Sequence, residues 1–520
     1  MPGIPRPQTV RPYRLADLAV LVEAVPAVND ADNDAAITGV THASGEVRPG
    51  DLYAALPGAR RHGAEFAGAA AEAGAVAVLT DPAGRELAAG AGLPVVVVPD
   101  PRAVLGVAAS AIYGDPSARL TVIGLTGTAG KTSTAYLVES GLRAAGLTTG
   151  LIGTVETRLG DLVVTSARTT PEATDLHAIL AAAVELGVTA VVMEVSSHAL
   201  SMGRVGGVRF TVGGYTNFGL DHLDFHTDVD DYFAAKAKLF DGRCRFEVLN
   251  ADDPALKPLG KPATITYSAD GDPAATWHAE DVVVAGEGQT FVAVGPGGPL
   301  RAGVALPGRH NVANALLALG SLTAAGIDPQ TAADGIAACP GVPGRLERVT
   351  VPGDVLGFVD YAHKPDAIVA ALTALRDLAT ARGGRLVCVI GAGGDRDTGK
   401  RPLMGAAAAR GSDVVVVTDD NPRTEDPQVV RTAVRQGAES LSKPGLSVGG
   451  TQAGAAAKII EVAGRRPAID EAVRLAGPGD IVAVLGKGHE RGQEVNGEVL
   501  PFDDRIELAA ALEARAGGAA

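Results

Sequence analysis

The stretch Gly124–Ser133, reading Gly-Leu-Thr-Gly-Thr-Ala-Gly-Lys-Thr-Ser, limits the fold more than any other part of the chain. Ahead of it runs an apolar segment, Leu120 to Leu125, with β-branched Thr121, Val122 and Ile123, which predicts a buried strand. Behind it Ala135, Leu137, Val138, Leu142 and Ala145 recur at helical spacing. Strand, glycine-rich turn, Lys-Thr and helix together form the setting of a phosphate-binding loop. Glycines let backbone N–H groups close around phosphate oxygens, and the helix N-terminus adds positive potential. Lys131 is then placed to reach terminal phosphates and Thr132 to ligate Mg²⁺. The spacing departs from the common one: glycines stand at 124, 127 and 130, and Leu125 occupies a position that usually holds glycine.

A chain of 520 residues exceeds one core, and about two to four domains are expected. Cys244, Cys339 and Cys388 are far apart and form no metal spacing, which fits a reduced, cytoplasmic protein. A net charge of −15 argues against a general nucleic-acid binder and leaves room for an anionic substrate in a local basic pocket. No run is long and apolar enough to span a bilayer. Met1–Arg14 has Pro and Arg but no hydrophobic segment, so no secretory signal is expected.

The first part, residues 1–116, mixes short strands and helices. Ala75–Leu79 and Val95–Val98 read as strands, and Ser44–Asp51 and Gly58–Gly63 as polar loops. Gly114-Asp-Pro-Ser117 reads as a hinge. In the central part, residues 117–345, Val188–Met193 is a second buried strand with Glu194 at its carboxyl end. Ligands of open α/β sheets lie at that end, so Glu194 is either a Mg²⁺ ligand or a solvated cap. Asp221-His222-Leu-Asp224-Phe-His226 is a polar cluster following a strand. In the helix Asp230–Phe240, Tyr232, Phe233, Leu239 and Phe240 share one face with Lys236. A lysine there snorkels, is paired, is deprotonated or is chemically modified. Lys238 lies on another, solvent-facing side. Residues 263–306 suggest short strands and turns, Gly308–Asn314 opens an Ala/Leu-rich helix, and Gly344-Arg-Leu-Glu347 closes the domain.

Residues 346–520 repeat a strand-then-motif unit. Leu356–Val359 precedes Asp360-Tyr-Ala-His363, and Leu386–Ile390 precedes Gly391-Ala-Gly-Gly-Asp395-Arg396-Asp397. Val414–Val417 precedes Asp419-Asp420-Asn421-Pro422-Arg423, and Ile481–Leu485 precedes Gly486-Lys-Gly-His489-Glu490. All four motifs should gather on one edge of a parallel sheet. The Gly391 stretch lacks the glycine spacing of a dinucleotide fingerprint. One nucleotide site, one acidic metal cluster and one basic edge on a separate domain suggest ATP-driven joining of two substrates. A carboxylate attacks the γ-phosphate, and an amine then attacks the acyl phosphate to give an amide, ADP and phosphate.

These motifs resemble the Mur ligase family over essentially the whole chain. The carriers are Thr126-Gly127-Thr128-Ala129-Gly130-Lys131-Thr132 with Ser133, Glu194-Val-Ser-Ser-His198, Lys236 in Ala-Lys-Ala-Lys-Leu-Phe, and Gly344-Arg-Leu-Glu347. Thr169-Thr-Pro171, Gly393-Gly-Asp-Arg-Asp397, Asp420-Asn-Pro-Arg423 and Gly486-Lys-Gly-His-Glu490 are similar to its MurE type. The resemblance implies an α/β fold of three domains, with a central P-loop ATPase domain and a C-terminal Rossmann-like domain. It implies ligation of diaminopimelate, first of all the meso isomer, to UDP-N-acetylmuramoyl-L-Ala-D-Glu in cytoplasmic peptidoglycan synthesis, with ATP and Mg²⁺ and by a monomer. Residues 126–133, with Asn311 and Arg345, would hold ATP, and Thr132, Glu194, His222 and a carboxylated Lys236 would hold Mg²⁺. Ser44, Thr169, Thr170, Ser196 and Arg204 would contact the muramyl dipeptide nucleotide, with Ser44 and the Gly58 loop nearer the uridine. Arg396, Asp420, Asn421, Pro422, Arg423, Gly486 and Glu490 would contact the incoming amino acid.

On this reading Arg423 selects diaminopimelate over lysine, because a guanidinium grips a distal carboxylate with two parallel hydrogen bonds. Glu490 would take the distal ammonium. The chain departs from the family at Ala43-Ser44-Gly45, Met202, Lys364 and Arg491-Gly492-Gln493. Competing expectations are an LL-diaminopimelate ligase, another Mur or folylpolyglutamate-type amide ligase, and a nucleotide-binding regulator without ligase activity.

Overall fold

A computed structural model describes residues 5–24, 35–440 and 456–518; residues 1–4 of the N-terminal stretch read above lie outside them. The chain divides into two compact units. Met1–His278, Ala293–Leu300 and Ala313–Ile336 form the first, and Ala279–Val292, Arg301–Val312 and Ala337–Ala520 the second. Among the described residues no helix is long and apolar enough to cross a membrane.

The first unit opens with a parallel four-stranded sheet, in the order Gly39–Thr41, Asp51–Ala54, Ala77–Thr80, Val95–Val97. A larger sheet follows, built around the strand Thr121–Thr126. That strand lies between Ala190–Glu194 and Phe210–Tyr215, parallel to both. Thr149–Ile152 flanks the first neighbour and Cys244–Asn250 the second. The central strands are apolar on both faces, as a sheet covered by helices on each side demands: Val122, Ile123, Val191, Val192 and Val212 are all fully buried. Register pairs Glu194 with Leu125 and Tyr215 with Thr126. The phosphate loop, Glu194 and Thr216 therefore leave the sheet at the same edge.

The two sheets of this unit meet through a close backbone contact. Gly106, in the helix Pro101–Ile112, faces Gly206 and Gly207; a Cβ on Gly106 would stand 2.4 Å from the Gly206 carbonyl oxygen. The fully buried His177 donates from Nε2 to that same oxygen at 2.8 Å, and burial pushes its pKa down to about 4, so it stays neutral. Ser110 adds a hydrogen bond to the Gly207 carbonyl at 3.3 Å.

The second unit carries a six-stranded sheet in the order Glu347–Val349, Leu356–Asp360, Ile481–Leu485, Leu386–Ile390, Val414–Val417, Lys458–Glu461. All but the first pairing are parallel. The four strands predicted here appear within a residue of their expected limits, and the motifs that follow them emerge at one carboxyl edge. Arg465 and Asp504, both fully buried, anchor this sheet to its helices through hydrogen bonds of 2.7 and 2.6 Å.

Replacing Gly106 by Val would force the helix off Gly206. The expected loss is ~1–3 kcal/mol of stability, read as a lower urea midpoint; an unchanged midpoint would show that the contact yields freely.

Candidate functional site

The helix Lys131–Ala144 begins directly at the glycine turn, with Gly130 in the left-handed region at φ 88°. Gly127 has φ 137°, and a Cβ there would stand 1.9 Å from Thr216 Oγ1, so no side chain fits. The turn is held from outside: Thr216 Oγ1 donates to the Ala129 carbonyl at 2.6 Å, Asn217 Oδ1 accepts from Ala129 N at 3.1 Å, and Tyr232 Oη meets Thr128 Oγ1 at 3.1 Å. Asn314, which the sequence reading passed over, accepts from Thr134 Oγ1 at 3.3 Å and sits against Gly130.

Glu194 ends its strand 1 % exposed, and three donors meet its carboxylate. Thr132 Oγ1 lies 3.1 and 3.0 Å from its two oxygens, Thr154 N donates at 2.8 Å and Thr154 Oγ1 at 3.1 Å. It is not a solvated cap. Thr154 Oγ1 also meets Thr169 Oγ1 at 3.1 Å, and Thr170 Oγ1 donates to the Glu194 carbonyl at 2.9 Å. Ser196 caps the short helix Ser197–Ser201 by accepting from Ala199 N at 3.2 Å. The motifs around residues 132, 169 and 194 thus form one hydrogen-bonded patch.

Lys236 is 1 % exposed, which removes the snorkelling alternative. Its helix is Val229–Ala237 and continues as a 3₁₀ turn, Lys238–Phe240; Lys238 is exposed, as its face predicted. Lys236 Nζ donates to the Gly127 carbonyl at 2.8 Å and lies 4.6 Å from the centre of the Tyr232 ring. Lys131 Nζ donates to the same carbonyl at 2.7 Å and to that of Thr128 at 3.1 Å. Two ammonium groups therefore share one acceptor at the phosphate loop. His222, at φ 53°, pairs with Asp221 at 3.3 Å and stands edge-on to His198, with ring centres 4.7 Å apart. Among the described residues no three His, Cys, Asp or Glu side chains converge as a ready-made metal centre. The carboxylate Glu194 beside the Thr132 hydroxyl is still a donor pair that suits a hard cation.

In the first sheet, Ser44 lines a cavity of about 400 Å³ with His42, Tyr53, Arg61, Phe66 and Arg102, and the Gly58 loop borders it. Arg204 donates to the Thr170 carbonyl at 3.3 Å and pairs with Glu172 at 2.8 Å. Glu172 was not singled out by its sequence.

In the second unit the four edge loops interlock. Asn421 Nδ2 donates to Glu490 at 3.0 Å, while Asn421 Oδ1 accepts from Lys487 Nζ at 2.9 Å and from Glu494 N at 3.0 Å. Lys487, fully buried and unremarked in the sequence, also pairs with Glu490 at 3.0 Å. Pro422 leads into Arg423, which has φ 55°, donates from Nη1 to the Gly394 carbonyl at 2.6 Å and pairs with Glu494 at 3.0 Å. It is a fixed group rather than a solvated turn residue. Gly486, at φ 119°, leaves no room for a Cβ beside Asp420 Oδ2, 2.5 Å away. Arg396 is exposed on the neighbouring loop. Arg345 stacks on Tyr361 at 4.8 Å, and Gly344 packs directly on the Gly488–His489 backbone. Asn311 donates to the Pro307 carbonyl at 2.8 Å. The segment Arg491-Gly-Gln493, where the chain departs from the family pattern, leads into a strand, Gly492–Val495, and Gln493 donates to the Asp420 carbonyl at 2.6 Å.

Burial pushes His363 and His489 down to about 4, with the Arg345 cation adding to the effect in both. An unfolded histidine binds its proton near pH 6.5. Unfolding therefore takes up protons between those values, and stability is full above about pH 6.5 and lost as pH falls toward 4. The denaturant midpoint should drop over that window and drop less in His489→Asn; an equal drop in both would exclude His489 as a contributor.

Three family models match the chain. The Mur ligase family, catalytic domain, matches residues 36–113; the Mur ligase middle domain, 125–322; and the Mur ligase, glutamate ligase domain, 344–488. The chain is 52 % identical to the UDP-N-acetylmuramoyl-L-alanyl-D-glutamate--2,6-diaminopimelate ligase of Streptomyces coelicolor, covering 99 % of each chain. Against the protein of that name in Corynebacterium glutamicum it is 47 % identical over 89 % of each. A solved structure bearing the same ligase name superposes with a TM-score of 0.68 at 30 % identity, over 97 % of this chain and 100 % of that one.

Proposed function

Since the chain belongs to the Mur ligase family, we propose that it joins diaminopimelate, first of all the meso isomer, to the D-Glu carboxylate of UDP-N-acetylmuramoyl-L-Ala-D-Glu at the expense of ATP. The observation that carries the reading is full-length similarity to relatives named for that reaction, in a chain that keeps Lys131, Glu194, Lys236 and Arg423. The cytoplasm, where nucleotide-linked substrates and ATP occur together, is the proposed site of action. The three-domain division at residues 116 and 345 is retained as part of the proposal.

The chemistry needs one phosphoryl transfer and one acyl transfer. An oxygen of the D-Glu carboxylate attacks the γ-phosphorus of ATP, the bond to the β–γ bridging oxygen breaks, and ADP leaves an acyl phosphate. The amine nitrogen of diaminopimelate then attacks the acyl carbon, phosphate departs, and the nitrogen loses its proton. The glycine turn 126–130, Ser133 and the N-terminus of its helix would hold the phosphate chain, with Lys131 moving from the Gly127 carbonyl onto the terminal phosphate. Asn311 and Arg345 would line the nucleotide. Magnesium, when bound, would offset the negative charge that spreads over the phosphates. Thr132, Glu194, His222 and a carboxylated Lys236 would hold it.

Carboxylation of Lys236, which the family resemblance implies, is supported by the burial of its side chain. An ammonium as buried as that of Lys236 is costly to keep charged. In its neutral form the Lys236 nitrogen adds to carbon dioxide and loses a proton, and the resulting carbamate faces Lys131 as an anion. Thr169, Thr170, Ser196 and Arg204 would hold the muramyl dipeptide, with Ser44 nearer the uridine. Asp420, Asn421, Arg423, Arg396, Gly486 and Glu490 would hold the amino acid. Arg423 would take the distal carboxylate alongside Glu494, and Glu490 the distal ammonium alongside Lys487.

The test is phosphate release from ATP with the muramyl dipeptide nucleotide, comparing meso-diaminopimelate, LL-diaminopimelate, lysine and no amino acid. Release only with a diaminopimelate isomer is expected; release with lysine would remove Arg423 as selector, and none with any acceptor would favour a regulatory nucleotide-binding protein. Lys236→Ala should abolish turnover without rescue by bicarbonate, and normal turnover in that variant would sink the carbamate. Arg423→Ala should weaken use of diaminopimelate by ~2–3 kcal/mol in kcat/KM, with unchanged kinetics excluding it from the site.

A further inference from the structure

The hairpin of strands Gly492–Val495 and Glu498–Pro501 brings to the edge loops of the second unit a carboxylate that the sequence reading did not single out, that of Glu494. Arg423 is joined to this hairpin through its backbone. Its N–H donates to the Glu494 carbonyl at 3.0 Å, and its own carbonyl accepts from Asn496 N at 2.6 Å. The side chains meet as well, with Arg423 Nε donating to Glu494 Oε2 at 3.0 Å. Nη1 donates to the Gly394 carbonyl, and among the described residues Nη2 meets no acceptor. Nε and Nη2 together form the edge of a guanidinium that grips a carboxylate with two parallel hydrogen bonds. Glu494 already holds half of that edge. The backbone bonds fix where both residues stand, so the part left to move is the Glu494 side chain, which is 39 % exposed.

A second ion pair adjoins the first. Asn421 Oδ1 accepts from Glu494 N and from Lys487 Nζ, and Asn421 Nδ2 donates to Glu490, which also pairs with Lys487. Each pair holds one cation and one anion, Arg423 with Glu494 and Lys487 with Glu490. Such a set can exchange partners with a zwitterionic group and stay neutral, whereas a singly charged group leaves one charge over. The far carbon of diaminopimelate carries one carboxylate and one ammonium. An acceptor with a far carboxylate alone would set it against Glu494 and Glu490 with no added cation. An acceptor with a far ammonium alone, such as lysine, would leave Arg423 on Glu494.

We propose that Glu494 is a specificity-determining residue of the amino-acid site. It gives up Arg423 Nε to the far carboxylate of the acceptor and takes the far ammonium in exchange, so that only an acceptor bearing both charges on its far carbon leaves every group paired. This deepens the ligase reading above and rests on it. Arg423 then asks for the carboxylate, and Glu494 imposes the demand that an ammonium accompany it. The discrimination is repulsive in origin: a lone far carboxylate is penalised by the carboxylate it displaces.

The experiment uses the full chain and reads phosphate release from ATP with the muramyl dipeptide nucleotide. It compares kcat/KM for meso-diaminopimelate, L-2-aminopimelate, which keeps the far carboxylate and lacks the far amine, and L-lysine, in the unaltered protein and in Glu494→Gln. In Glu494→Gln the preference for diaminopimelate over 2-aminopimelate should fall by ~10–100-fold, while the preference over lysine should not fall. Glu494→Asp, which keeps the charge, should restore part of the first preference. A ratio taken within one variant is unaffected by partial loss of folded protein, which lowers all three rates alike. An equal change with all three acceptors, or an unchanged preference over 2-aminopimelate, would overturn the role of Glu494 and leave the ligase reading standing. No release from the unaltered protein with any acceptor would overturn both.

Discussion

Two lysine ammonium groups meet at a single backbone oxygen, that of Gly127, and much of the first unit is arranged around that point. The carbonyl is exposed to them because Gly127 adopts φ 137°, a conformation that a side chain would spoil both by strain and by collision with Thr216. Thr216 follows the strand beside Thr126, so the parallel register fixes the turn from outside. On its other side Glu194 takes up Thr132 and Thr154. The sheet edge thus presents two hydrogen-bonded ammonium groups and one hydrogen-bonded carboxylate around the glycine turn. Buried charges of this kind are tolerated because each is hydrogen-bonded.

The strands and their order of use were legible because the chemistry of a parallel sheet leaves a strong trace. Runs such as Leu386–Ile390 and Ile481–Leu485 are apolar throughout, and a polar motif directly after each one locates the ligand edge. The burial of Lys236 was legible for the same kind of reason, since helical spacing puts it on a face with Tyr232, Leu239 and Phe240, all buried. Its acceptor was not, because the partner lies more than a hundred positions away and depends on a glycine's backbone angle. Lys487 sits in a loop with no periodicity to betray that it is fully buried. Glu172 reads in sequence as the residue before a helix, and the three arginines that converge on it come from segments with no shared pattern. Asn314 escaped for a subtler reason: on an Ala/Leu-rich helix, which polar residue meets the turn is decided by how the helix approaches it.

The second unit solves a different problem with similar means. Its edge loops are flexible types of sequence, rich in Gly, Asp and Asn, yet they are locked to one another. Asn421 uses its side-chain oxygen and nitrogen at once, bridging Lys487, Glu490 and the Glu494 backbone. Arg423 is held by the Gly394 carbonyl and Glu494 in a left-handed conformation that most residues avoid. Prearrangement of this kind lowers the ordering cost of binding a small zwitterion, and it makes selectivity a competition. On the proposed reading, a ligand carboxylate would have to fit beside Glu494, and a ligand without one would leave Arg423 with the partner it already has.

Charge balance separates the ion pairs that build this protein from those that serve its chemistry. Arg465 and Asp504 are paired and fully enclosed, with Asp420 3.9 Å from the same guanidinium. Arg401 and Glu425 form another such match, and Glu139 and Glu156 share Arg143 and Arg158 between them. These closed sets need nothing from solution. Elsewhere several cations gather on one acceptor: two lysines donate to the Gly127 carbonyl, and three arginines pair with Glu172. They occur in a protein whose net charge is −15, where long-range potential repels anions in general. Attraction of an anion to such a chain is therefore a short-range matter, decided by where cations are gathered. The Nε of Arg204, buried and without a hydrogen-bond partner, marks the one place in these clusters where a polar atom is left unsatisfied, and such atoms are costly to keep.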